Sequence, residues 1–293
     1  MGHESTEHPM NGVDPYFDQP RSAMTVIADS LRLPMRALPG AWFPVLLTLI
    51  IYLSIGPVMK ALTGIDPYDL GFGMPVQIEP LVDESSAEIL VGLYALTYIL
   101  LLLWAFAMLL QHLQQAASSE DRVPLSPTAG LRRVPAMVGA SILFGLTLVI
   151  TVALMASSFV ELDRQFALVM MLAVLLIAGL LTTIFILGPA LPALEETGPI
   201  ASLTRSAKLV WPHWLRVSWV LFLVFLLNIA LTLVLGLVIM LMVQLAHAET
   251  LSALLGWIVN PALGVFYLLF SAGLTVSLYY DLLARRTTPG DDG

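Results

Sequence analysis

Residues 195–216 read EETGPIASLTRSAKLVWPHWLR, and residues 217–243 continue as VSWVLFLVFLLNIALTLVLGLVIMLMV. The junction between these two stretches decides the fold. The second holds no Asp, Glu, Lys or Arg. At about 1.5 Å per helical residue it is long enough to cross a hydrocarbon core of about 30 Å. The first stretch is different in kind. Gly198 suits a helix cap and Pro199 the first helical position. Ile200, Leu203, Ala207, Val210 and Trp214 recur at steps of three and four, which predicts one apolar helix face, with Arg205 and Lys208 off it. Pro212 ends that helix or restarts the next, because proline disfavours helical geometry in the residue before it. The junction therefore reads as a helix on a membrane surface feeding a helix that spans.

Working outward, residues 41–59, 89–110, 136–159, 166–187 and 254–280 also lack Asp, Glu, Lys and Arg. The expected fold is all-α: a polytopic membrane protein with six transmembrane helices and amphipathic surface helices on the cytoplasmic side. A single transmembrane domain, residues 22–286, lies between polar tails at 1–21 and 287–293. Composition agrees. Of 293 residues 58% are hydrophobic and 12% charged, whereas soluble domains are about 25% charged. The absence of cysteine excludes disulfides and thiolate chemistry. A net charge of −8 argues against a nucleic-acid partner. Residues 1–20 are polar and have no apolar signal core. Met1 to Thr6 fit the myristoylation pattern formally, but the stretch reads as plain tail.

Basic residues set the expected orientation. With the N-terminus inside, the inner segments hold Arg21, Arg32, Arg36, Arg122, Arg132, Arg133, Arg205, Lys208, Arg216, Arg285 and Arg286, and the outer loops only Lys60 and Arg164. That asymmetry predicts cytoplasmic N- and C-termini. A second candidate surface helix covers residues 23–38, bent near Pro34, with Ile27, Leu31, Met35 and Leu38 on one face and Asp29, Arg32 and Arg36 off it. Basic, proline-containing stretches at 30–39, 128–135 and 203–216 each precede an odd-numbered span. They suggest a surface helix plus a helical hairpin used three times.

The third of these units looks familiar. It contains Gly188-Pro189-Ala190-Leu191, Leu194-Glu195, Gly198-Pro199-Ile200, Leu203, Arg205-Ser206, Leu209-Val210 and His213-Trp214-Leu215-Arg216. The chain closes on Leu278-Tyr279-Tyr280-Asp281-Leu282 and Arg285-Arg286. Together they resemble a motif of bacterial polytopic proteins similar to the membrane domain of glycerophosphoryl diester phosphodiesterases and to YciC-like inner-membrane proteins. The likeness covers residues 187–286, with a weaker echo over 125–135. It implies a bacterial inner-membrane helical protein and little chemistry. The fused phosphodiesterases carry a catalytic domain that this sequence does not show after Arg286.

The residues themselves predict no enzyme. His3, His8, His112, His213 and His247 show neither HExxH nor i, i+4 spacing, and no nucleotide-binding glycine motif or GxSxG elbow occurs. No cofactor or metal is expected, and the acidic residues between 63 and 88 do not follow the EF-hand pattern. The six spans carry no ionisable group of the kind that lines transport pathways, leaving Asn228 as the strongest polar residue within them, expected to tie two helices. Arg205, Lys208 and Arg216 are the candidate contacts to anionic lipid. Glu195, Trp211 and Trp214 are candidate structural residues, the carboxylate pairing with nearby bases and the indoles sitting at the membrane interface. The expected role is a non-catalytic module that binds membrane lipids, a membrane-protein partner or a second copy of itself. A carrier of an amphipathic or lipid substrate is the alternative.

Overall fold

A computed structural model describes residues 17, 19–64, 84–118, 127–157, 164–246 and 249–287. Residues 1–16 and 288–293 of the expected tails, the acidic loop between 65 and 83, and His247 lie outside these residues, whereas Phe17 and Arg21, expected within the first tail, are buried. Among the described residues the chain is helical: α1 (Ala23–Ala37), α2 (Trp42–Thr63), α3 (Glu84–Ala117), α4 (Pro127–Ser157), α5 (Arg164–Phe185), α6 (Leu191–Glu195), α7 (Pro199–Val210), a 3-10 turn at Trp211–His213, α8 (Trp214–Ala246) and α9 (Glu249–Thr287). Five stretches are long and apolar enough to cross a membrane: Trp42–Thr63, Ser86–Ala117, Pro127–Ala153, Pro199–Met242 and Trp257–Arg286. The protein is an all-α polytopic membrane protein. The expected fourth span coincides with α5, in which Met171–Phe185 forms a shorter apolar helix.

The long helices form a ring. α2, α3 and α9 pack on one another, α3 pairs with α4, α4 with α5, α5 with α8, and α8 with α9. The short helices gather at one end of it. α1 lies against α9, α3 and α8, α6 against α3 and α4, and α7 against α4 and α5. Fully buried side chains concentrate there: Leu109, Leu110 and Leu113 of α3, Met137 of α4, Leu187, Leu191, Leu209 and Val217, and Val276 to Leu282 of α9. Away from this packed end the helices expose apolar side chains, among them Leu93, Ile142, Leu176 and Leu233. Lipid solvates such surfaces, and the helices satisfy their own backbone groups there.

The short helices bury small and apolar residues and leave several large apolar ones outside. On α1, Leu31, Met35 and Leu38 point outward, while Val26, Asp29, Ser30, Leu33, Pro34 and Ala37 are buried. On α7 the buried residues are Ser202, Ser206, Leu209 and Val210, and Ile200 is exposed. Small residues face protein where they let backbones approach, beside buried Leu33 and Leu209, while the outward apolar side chains can face lipid. The closest approach is at Gly273 of α9, where an added Cβ would overlap the Ser30 carbonyl oxygen and lie 2.9 Å from Pro34 Cγ. Pro34 stays inside α1 and seats on this glycine instead of ending the helix.

One expectation changes. Residues 128–135, expected as a separate surface element, are the first turns of the continuous helix α4, with Pro135 inside it. The second of the three units therefore has no surface helix of its own, and the repeat is not regular. At Pro212 the expected break is present: α7 ends at Val210, a 3-10 turn covers Trp211–His213, and α8 starts at Trp214.

Candidate functional site

The packed end holds a cluster of charges drawn from opposite ends of the chain. Asp281 of α9 is fully buried. Its Oδ1 accepts the Arg21 backbone N–H at 2.7 Å. Its Oδ2 accepts Arg216 Nε at 3.1 Å and Arg285 Nε at 3.3 Å. Arg216 and Arg285 both donate a second time to the Arg21 carbonyl oxygen, Arg285 at 3.0 Å. The Arg21 side chain is buried too. It donates to Asp29 at 2.9 Å and to the Ser277 carbonyl, and its guanidinium sits 4.8 Å from the centre of the Phe17 ring. A carboxylate has about four lone-pair sites, so several donors can share Asp281. The cluster thus staples the segment before α1 to α8 and α9.

A second cluster fixes the joint between α6 and α7. Glu195 accepts the Tyr279 hydroxyl at 2.8 Å and pairs with Arg205 at 3.2 Å. Glu196 is the left-handed cap of α6, at φ 58°, and pairs with Arg133 of α4. The Arg133 guanidinium, by its hydrogen bond and its charge, holds the Glu196 carboxyl below the usual range. Gln114 of α3 adds a bond to the Leu194 carbonyl at 3.3 Å. A reversed backbone of this kind costs roughly 1 kcal/mol or more at a non-glycine residue, and the ion pairs on either side hold it in place.

These clusters divide the three candidate lipid contacts. Arg205 and Arg216 are committed to Glu195 and Asp281. Lys208 is exposed and makes no ion pair among the described residues. It lines a shallow cleft of about 390 Å³ with Ala207, Trp211, Pro212 and Arg286. Arg286, on the last turns of α9, is likewise exposed and without an ion pair among the described residues. Trp211 is 60% exposed and Trp214 38%. Both stand on the turn and helix start beside the cleft, as interfacial indoles do. Among the described residues Asn228 makes no hydrogen bond to a second helix. Its Nδ2 donates at 3.0 Å to the Val224 carbonyl one turn back in the same helix.

Asp29, Asp281 and Arg286 are among the residues of the packed end that enter the sequence reading only as part of a helix face, a motif or the inner bases, and not as candidate site residues. A signal existed for Asp281, an acid set among Leu278, Tyr279, Tyr280, Leu282 and Leu283 at the edge of an apolar run and four residues before Arg285. Asp29 gave none, because an acid on a short amphipathic helix reads as solvated.

No family model matches this chain, and neither the curated proteins nor the solved structures contain a match.

Proposed function

We propose that the chain is a non-catalytic module of the inner membrane that binds anionic phospholipid at its packed end. The observation that carries this reading is the set of bases left over after internal pairing. Arg32 and Arg36 of α1, Arg132 of α4, Lys208 of α7 and Arg286 of α9 are all exposed, and none makes an ion pair among the described residues. All five belong to the end where the short helices gather. Exposed Trp42 and Trp211 stand at the start of α2 and on the turn before α8. Near an anionic leaflet each such base gains about 1 kcal/mol, and indole rings fix the depth of the neighbouring helix. Native mass spectrometry of gently extracted protein tests the reading. Wild type should retain phosphatidylglycerol and cardiolipin over phosphatidylethanolamine. Glutamine at all five bases should erase that preference, and an unchanged lipid profile would reject the function.

A further inference from the structure

We infer that the cleft between α7 and the end of α9 is a discrete site for one phospholipid, with its phosphate held between Lys208 and Arg286. The inference rests on the anionic-lipid reading and narrows it from a basic surface to a single place.

Three observations point there. The first is charge. Lys208 and Arg286 come from helices far apart in sequence, line the same cleft, and make no ion pair among the described residues. The neighbouring bases Arg205, Arg216 and Arg285 are held by Glu195 and Asp281, so they keep the frame rigid and do not compete for the ligand. The second is size. At about 390 Å³ the cleft lies at the small end of ligand pockets, which run roughly 300–1,000 Å³. It takes a phosphate and glycerol; acyl chains must leave it.

The third observation is where they can go. Trp211, Leu215, Trp219, Phe222, Leu226, Ile229 and Leu233 are all exposed and follow one another at steps of three and four. That spacing is one face of a helix. It runs from the rim of the cleft along α8 into the membrane, and Trp219 and Phe222 stack on it with ring centres 5.6 Å apart. Trp211 belongs to both features, lining the cleft and starting the stripe. A headgroup in the cleft with a chain on this stripe is the arrangement of a phospholipid. A soluble phosphate ester would use the cleft alone.

The test measures phosphatidylglycerol binding by native mass spectrometry of the full chain released from nanodiscs of phosphatidylcholine with a minority of phosphatidylglycerol. The Lys208→Gln/Arg286→Gln pair should weaken binding roughly thirtyfold, about fivefold for each base. Arg32→Gln/Arg36→Gln, which removes the same charge from α1, should weaken binding at the tight site clearly less, by about fivefold at most. Lys208→Arg/Arg286→Lys should retain it. Equal losses in both glutamine pairs would overturn the discrete site and leave the general lipid reading standing. No loss in either pair, nor in the variant lacking all five bases, would overturn both. A charge-retaining pair as weak as the glutamine pair would show that charge does not hold the headgroup. Displacement of the lipid by equimolar glycerol 3-phosphate would make a soluble phosphate ester the ligand and overturn the lipid assignment.

Discussion

The backbone N–H of Arg21 donates to the Asp281 carboxylate at 2.7 Å, joining positions 260 residues apart. The same carboxylate takes Arg216 and Arg285, and both of these return to the Arg21 carbonyl. One buried acid therefore holds the entry to α1, the start of α8 and the end of α9. Each partner is fixed by more than one bond, so the three elements are placed together.

Asp281→Asn should be strongly destabilising. It keeps the shape but removes the charge that Arg216 and Arg285 face. Breaking a buried pair costs about 3–5 kcal/mol. The arginine side chains are 25% and 24% exposed, so water recovers part of this and the expected loss is about 3 kcal/mol. Thermal unfolding in detergent measures it. A midpoint equal to wild type would mean the cluster does not hold the fold.

Gly273→Ala should displace α1. The new methyl would meet the Ser30 backbone, which has no rotamer to escape with. Overpacking of this kind costs typically 1–3 kcal/mol. Gly145→Ala is the control, because a Cβ there meets nothing within 4 Å. The first variant should unfold earlier than the control. Equal midpoints would show that α1 and α9 do not approach as closely as described.

Glu196 predicts a local dependence on pH. Its folded carboxyl titrates below the ordinary value of 4.5 because Arg133 stabilises the charged form. Its contribution is therefore complete above that value and is lost as pH falls through the lower folded value. The group is fully exposed, so the effect is small. Subtracting the pH profile of Arg133→Gln from that of wild type should leave a difference that disappears only in acid. A flat difference would remove the role given to this pair.

The orientation can be tested directly because the chain has no cysteine of its own. Thr63→Cys, at the end of α2, should react with an impermeant thiol reagent on spheroplasts. Thr287→Cys, at the end of α9, should react only after lysis. The reverse labelling pattern would place the basic end outside.

Much of the fold was legible in the sequence because lipid imposes a simple rule. Apolar runs long enough to cross a bilayer must be helical, since nothing else satisfies their backbone there. Residues 41–59, 89–110, 136–159, 217–243 and 254–280 announce themselves in this way. The cap and entry of α7 at Gly198 and Pro199 were equally local, and the structure has Gly198 as the cap and Pro199 at the start of the helix.

Local sequence could not say which face of a short helix is buried. In water the apolar face goes inward. At a membrane surface an outward apolar side chain also finds an apolar surround, so burial follows the fit to neighbouring helices: Ser30, Leu33, Pro34, Ser202, Ser206 and Leu209 go in, and Ile200, Leu31 and Met35 stay out. Nor could sequence divide the bases. Arg205, Lys208 and Arg216 look alike in a string of residues. The sequence determined that they gather beside a spanning helix. Only the tertiary structure decided that Glu195 and Asp281, brought in from other elements, neutralise two of them and that Lys208, with no ion pair among the described residues, shares a cleft with Arg286, because a charge interacts with whatever the fold places within a few ångströms and not only with its neighbours in the chain.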